Sequence, residues 1–377
     1  MSEKNVEIGV VASIIAIVGF GYFLKFTELV AGFDTVLYSW ILLSIVFIGR
    51  FQAFSSVIFV CLFCLISLVY YWLNIVLFGS SSFVLSNILM FLVLGGLVSI
   101  FLSRSVSKYE YILSLLLNFS FVALVVVSLL FIVLSGNHFS FYLGAQYKNS
   151  YLILSDILAL FTICFFVSSQ SWVKFLVGAF GGVLVMLLGS RSTMVFMFVS
   201  LAIYFPFLFH VSRSREKIIY TTLLLLSLCA VSWYVYENIE MFYRFQSLLS
   251  LREDSSFLAR QELKEFFFRS LTGRPSCFLF GCGTKVQGEY VHNYLSIWQF
   301  FGLPLFFGTV LFLCSVSLCL VKYTSRYQRV VPLFVFCALQ LFFSRSIVGI
   351  VYPVLIGVSS YVFFSQYRYR LVREKNN

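Results

Sequence analysis

From residue 53 to residue 78 the chain reads AFSSVIFVCLFCLISLVYYWLNIVLF, with no charged side chain. A helix needs about 20 apolar residues to cross the hydrocarbon of a bilayer, and runs of this kind recur along the chain. Hydrophobic residues make up 61% of the sequence and charged ones 11%, whereas soluble domains carry about 25% charged residues. So much apolar surface cannot be hidden in one water-washed core. The sequence therefore predicts an all-α polytopic membrane protein. The net charge of +11 would suggest nucleic acid in a soluble protein. Here the cations lie in short connections between apolar runs, where they orient the helices, so no nucleic-acid partner is implied.

Spans are read near 8–26, 35–49, 53–78, 83–103, 111–135, 151–168, 172–189, 193–211, 217–235, 296–320, 330–346 and 347–366. That is about twelve, on the length that a span requires. With the N-terminus inside, the cytoplasmic connections hold Lys4, Arg50, Arg104, Lys108, Lys174, Arg213, Arg215, Lys217, Lys322, Arg326 and Arg329, and the tail holds Arg368, Arg370, Arg373 and Lys375. Nearly every inside connection carries a cation, as the positive-inside rule expects. An even number of spans also returns the basic tail to the inside. The chain divides into spans one to nine (1–235), a large external loop (236–295) and spans ten to twelve with the tail (296–377). The first apolar run has no small-residue cleavage site after it and reads as a retained helix.

Most of the nine cysteines lie within apolar runs, where they act as small hydrophobes. Cys277 and Cys282 share a polar loop, and a disulfide between them is one open reading. No paired-cysteine spacing points to a metal.

The loop at 236–295 is far longer than a connection between neighbouring helices needs. Within it, DSSFLARQELKEFFFRSL (254–271) predicts a helix, with Asp254 or Ser255 as cap and an apolar side of Leu258, Leu263, Phe266, Phe267 and Leu271. Such a helix can lie on the membrane surface, roof a cavity, or pack for shape alone.

The informative cations are those not needed for orientation. Arg191, in LLGSRSTMVF, and Arg345, in FFSRSIVG, are each flanked by serines between two apolar runs on the external side. A charge so near hydrocarbon costs several kcal/mol unless it is paired or lines a wet cavity. Arg191 reads either as an anion ligand at a helix start or as a snorkelling interfacial residue. Arg252 and Arg260 come from the loop. Four arginines on one side suit a polyanion, because guanidinium grips phosphate oxygens in pairs. A lipid-linked pyrophosphate meets this requirement, with its tail among helices and its head outside.

His292 is one of three histidines and follows Glu289 and Tyr290. Spaced three residues apart, Glu289 and His292 share a face if helical. A neutral imidazole beside a carboxylate is a candidate general base. The other reading makes the histidine a cap, with Asn293, at the start of the next span. His138, near Tyr142 and Tyr147, is either a sugar contact or an interfacial residue. His210 lies at a cytoplasmic end, away from this chemistry.

The order GSRS between spans, a long external loop with spaced arginines, FGCG, and then HNYLSIWQFFGLPLFFG resembles the O-antigen polymerase and O-antigen ligase superfamily. The likeness covers about residues 185–308, while the N-terminal half is similar only in hydropathy. Within the superfamily, GEYVHNYLSIWQFFG is more similar to the Wzy-type polymerases than to the ligases. The resemblance implies a multi-pass protein of the bacterial inner membrane with its active site in the periplasm and both termini in the cytoplasm. It implies a glycosyltransferase that joins undecaprenyl-pyrophosphate-linked oligosaccharide repeat units, or a ligase that moves the glycan to lipid A–core. His292 would serve as base, with Glu289 and Asn293 orienting it. Arg191, with Arg252, Arg260 and Arg345, would neutralise the pyrophosphate, and Tyr290 would contact substrate. No metal or cofactor is expected. Membrane lipid and a chain-length regulator protein are the implied partners.

Two other classes stay open. A lipid-linked oligosaccharide flippase would carry polar residues deep in several spans and show related halves; here Asp156 is the clearest charge within a span. A sensory or structural membrane protein would use the loop to bind a partner. The topology itself is testable. A reporter that is active only outside the cytoplasm should be active when inserted near residue 245 and silent when fused after Asn377. The opposite pattern would invert the whole arrangement.

Overall fold

The computed structural model describes residues 54–78, 94–103, 121–130, 150–168, 173–188, 190–211, 255–282, 291–347 and 349–376, with isolated positions among 11–19 and at 88, 222 and 233. Every regular element among them is helical. In chain order these are α1 (Phe54–Phe78), α2 (Gly96–Ser103), α3 (Phe121–Leu130), α4 (Ser150–Ser168), α5 (Val173–Leu187) and α6 (Arg191–Val211). There follow α7 (Ser255–Gly273), α8 (Pro275–Phe280), α9 (Leu295–Lys322), α10 (Thr324–Tyr327), α11 (Val331–Phe343) and α12 (Val351–Asn376). The expected spans at 35–49 and 217–235, and the loop before residue 255, lie outside the described residues or nearly so.

Among the described residues, three helices, within α1, α4 and α9, are long and apolar enough to cross a membrane, and α3, α5, α6, α11 and α12 hold shorter apolar stretches. The surface of α1 shows what surrounds it. Leu62, Leu65, Ile66, Val69, Trp72, Val76 and Leu77 are all exposed, and they form one stripe at helical spacing. The opposite side of α1 is apolar too, with Val60, Phe63 and Tyr71 buried. The helix α9 repeats this with Phe307, Leu311, Leu318 and Val321 outside and Leu313, Val316 and Leu320 inside. Stripes of this size facing water would drive aggregation, whereas facing lipid they are at home. The fold is thus that of a helical membrane protein. Hydroxyls within these helices bond their own helix: Ser67 donates to the Phe63 carbonyl, Ser155 to Tyr151, Thr309 to Leu305 and Ser360 to Ile356. This satisfies each donor where no water is at hand.

The chain forms two compact units, one of residues 1–37, 104–249 and 328–336, the other of 38–103, 250–327 and 337–377. In the first, α4 is the core helix. It is buried over 83% of its most apolar window, against 28% for α1 and α9. Phe121 of α3 stacks near Phe161 and Phe165, with ring centroids 5.9 and 5.6 Å apart. The helix α5 runs antiparallel to α4 at very short range. A Cβ at Gly178 would lie 2.9 Å from the Phe166 ring, and one at Gly181 would overlap Thr162. Gly182 faces the other neighbour, Phe198 of α6, at 2.8 Å. Glycines let helix backbones approach where lipid supplies no hydrophobic drive, so close packing must hold the pair.

In the second unit, α12 meets α1, α2 and α9. Gly95 and Gly357 cross with almost no space between them, since a Cβ on Gly357 would stand 2.5 Å from the Gly95 carbonyl oxygen. Phe63 and Tyr352 meet edge to face at 6.3 Å, and Phe59 packs on Phe312 at 4.8 Å. Short α10 is tied to α12 by the buried Tyr327, whose hydroxyl lies 2.7 Å from that of Ser365.

The expected span 296–320 differs in form. Two helices meet inside α9 at Gly302, whose φ of 79° and ψ of 175° are not helical. Pro304 follows and lacks the N–H that a continuous helix would use. The loop helix differs as well. Of its expected apolar side, α7 buries Phe267 and Leu271 but leaves Leu258 and Phe266 exposed.

The glycine contacts give a stability prediction. Gly181→Leu should lower the thermal midpoint of the detergent-solubilised protein, at a cost of about 1–3 kcal/mol for overpacking. Gly308→Ala should leave it nearly unchanged, because nothing lies within 4 Å of a Cβ there. Equal midpoints for the two variants, by fluorescence-monitored melting, would contradict this packing.

Candidate functional site

The first turn of α9 gathers the polar residues at its mouth. Just before it, the Asn293 side-chain oxygen accepts the Leu295 N–H at 2.9 Å, and the Asn293 carbonyl accepts from the Ser296 N–H at 2.9 Å. Gln299, almost wholly buried, accepts the Val291 N–H on its Oε1 at 2.8 Å. His292 is held between these two anchored neighbours. Ser296 accepts the Ile347 N–H at 3.0 Å, which fastens the segment after α11 to the same turn. Tyr294 stacks near Phe342 at 5.1 Å.

Arg345 belongs to that fastened segment. Its N–H donates to the Gln340 carbonyl, and its guanidinium donates to Ser344 Oγ at 3.1 Å. Ser344 and Ser346 on either side are buried while Arg345 is half-buried.

Trp298 brings the third partner. Its indole N–H donates to the Phe278 carbonyl at 3.0 Å, and its ring meets Phe267 at 5.7 Å, Phe278 at 5.1 Å and Phe306 at 5.6 Å. One side chain thereby holds α7, α8 and the far half of α9 together. The placement of α7 brings half-buried Arg260 near His292.

The electrostatics of His292 record this convergence. Burial lowers its pKa first, and the charges of Arg260 and then Arg345 lower it further, from 6.5 to about 4. The imidazole is therefore neutral at physiological pH. Of the expected residues, Arg260 and Arg345 both act by their charge on His292, and Asn293 is the next residue in the chain. Glu289, Tyr290 and Arg252 lie outside the described residues.

Gly281 of FGCG and Gly302 of QFFGLP have a shared explanation. Gly281 ends α8 with φ at 84°, and a Cβ there would lie 2.5 Å from the Gln299 carbonyl and 2.9 Å from that of Trp298. A Cβ at Gly302 would overlap the Leu279 carbonyl. The end of α8 thus fills the break in α9. Asn74 of α1, fully buried, locks both sides, donating from Nδ2 to the Phe280 carbonyl at 3.1 Å and the Phe300 carbonyl at 3.5 Å. Sequence reasoning missed Asn74, although a lone asparagine in an apolar run was a visible signal.

Arg191 belongs to the first unit, where it is the first residue of α6 and half-buried. The helix start has an anion of its own. Thr193 donates from Oγ1 to Asp156 Oδ1 of α4 at 2.7 Å, and its hydroxyl lies 2.6 Å from Ser190. Because the single Thr193 proton points to Asp156, Ser190 must donate to Thr193. All three are buried, with Asp156 only 4% exposed. The carboxylate favours the positive end of the helix. The expected anion at this turn therefore finds Asp156 already present, and Arg191 stands one residue from that chain of hydrogen bonds.

Removing a neighbouring charge should shift His292 upward. In a protein whose other histidines are replaced (His138→Gln, His210→Gln), the rate of modification by diethyl pyrocarbonate follows the neutral imidazole. Its midpoint should lie near pH 4 in the parent and rise toward 6.5 in Arg260→Gln or Arg345→Gln, because each lost cation removes a penalty on the imidazolium. A midpoint unmoved in both would show that the arginines do not act on His292. Compared with known proteins, the chain matches no family model, no curated protein and no solved structure.

Proposed function

We propose that this protein is a membrane glycosyltransferase of the O-antigen polymerase kind. It would join undecaprenyl-pyrophosphate-linked oligosaccharide repeat units on the periplasmic face of the inner membrane, within a chain of about twelve spans. The observation that carries this reading is the placement of His292 at the mouth of an apolar, lipid-facing helix, under the combined charge of Arg260 and Arg345. A lipid pyrophosphate has the same division, a hydrocarbon tail beneath two phosphates.

The chemistry follows from that placement. Transfer of a sugar from pyrophosphate needs the departing charge neutralised, and fixed guanidinium groups in a poorly solvated mouth do this strongly. Arg260 and Arg345 are set to receive it. The attacking sugar hydroxyl must lose a proton, and His292, neutral before substrate arrives, can accept it. With a pKa near 4 the imidazole is a weak base in the empty site. An anionic donor beside the arginines offsets their charge and raises the histidine toward its ordinary value. The base would thus gain strength when the donor is bound. Arg191, beside the buried Asp156–Thr193–Ser190 chain, supplies a further cation on the same membrane face in this reading.

Surface glycan separated on a gel tests the proposal. Deletion of the gene should leave core bearing single repeat units. Bare core with free lipid-linked polymer would instead indicate the ligase, and an unchanged ladder would refute both. His292→Ala should reproduce the deletion, with transfer reduced about 10²–10⁴-fold, the usual worth of a general base. Arg345→Gln and Arg191→Gln should each shorten or abolish the ladder at unchanged expression.

A further inference from the structure

We infer that Cys277 and Cys282 close a disulfide across the Gly281 turn, fastening the end of α8 where it fills the break in α9. The two cysteines flank the last turn of α8: the Gly281 N–H donates to the Cys277 carbonyl at 2.9 Å, and the chain then leaves the helix at Gly281 with φ at 84°. The two thiols lie within hydrogen-bond reach of each other. Cys277 is buried beneath the turn and Cys282 is partly open. Neither lies in an apolar span, whereas Cys61, Cys64, Cys164, Cys314, Cys319 and Cys337 all do.

The step needs an oxidant, and this inference rests on the reading that residues 236–295 face the periplasm, where disulfides form and persist. A protein or small-molecule disulfide serves. The Cys282 thiolate attacks one of its sulfurs and expels a thiolate. Cys277, deprotonated, then attacks the Cys282 sulfur of the mixed disulfide and expels the second. Two protons and two electrons leave the cysteines, and the oxidant becomes two thiols. Burial, and the neighbouring Cys277, raise the Cys282 pKa well above its ordinary value, and the same burial shields the docked bond from reductants.

Trypsin does not cut before Pro275, so both cysteines fall in one peptide, 270–285. The full-length protein, made in cells and denaturated in excess iodoacetamide without reductant, should yield this peptide unalkylated and two hydrogen masses light. After reduction it should take two carbamidomethyl groups. Recovery of the doubly alkylated peptide without prior reduction would overturn the disulfide. The compartment is tested separately with Thr272→Cys in a Cys277→Ser, Cys282→Ser background. A membrane-impermeant maleimide should label it in intact spheroplasts. If it labels only after lysis, the loop faces the cytoplasm, and both the topology and this inference fall. Labelling in spheroplasts together with two free thiols in the native chain would overturn the disulfide alone.

Discussion

A backbone carbonyl stands where a side chain at residue 302 would be, and the seating of α8 on α9 depends on that one contact. It requires glycine at 302 with a positive φ, which breaks α9. The break frees backbone groups in an apolar setting, and the tail of α8 arrives with Gly281 to cover them. Asn74 donates across the junction to both sides. Trp298, one turn earlier, can then reach Phe278 and Phe267. The position of α7, and so of Arg260, follows from that reach.

The electrostatic character of the site follows from where this junction lies. His292 is not surrounded by water that could share its charge, so burial and two cations all disfavour the imidazolium. In the proposed reading, Arg260 and Arg345 offer their charge at this helix end to an anion that arrives along the membrane. The first unit carries the opposite device. There Asp156, a carboxylate deep in the core helix, is held by hydroxyls from the start of α6. A buried charge of this kind persists only with such partners.

Much of this was legible from residue order. Helical class and several span positions could be read from apolar runs, because a bilayer imposes length as well as polarity. His292, Arg345 and Arg260 stood out as polar groups with no orientation duty, and in the structure the charges of both arginines act on His292. The break in α9 left a trace as well, in a glycine two residues before a proline, but hydropathy averages over such a pair and reads straight through it. The role of Asn74 was hidden for a different reason. Its partners lie more than two hundred residues away and are backbone carbonyls, which carry no identity in a sequence. The same holds for Asp156, whose partner Thr193 is an ordinary residue until the fold brings it to 2.7 Å. The apolar side of α7 was overdrawn because one helix buries only the face its neighbour reaches, here Phe267 and Leu271.

Gly281 lies against the Trp298 and Gln299 carbonyls of α9, and Gly302 against the Leu279 carbonyl of α8. A straight α9 would present no recess for α8, and without α8 in the break the Trp298 indole would lose the Phe278 carbonyl it donates to. Docking of the loop and bending of the helix are therefore a single cooperative event. The segment that carries His292 acquires its place in that event all at once, so an immature protein with this region half-assembled is not a sparsely populated variant of the native site but a molecule with no site at all.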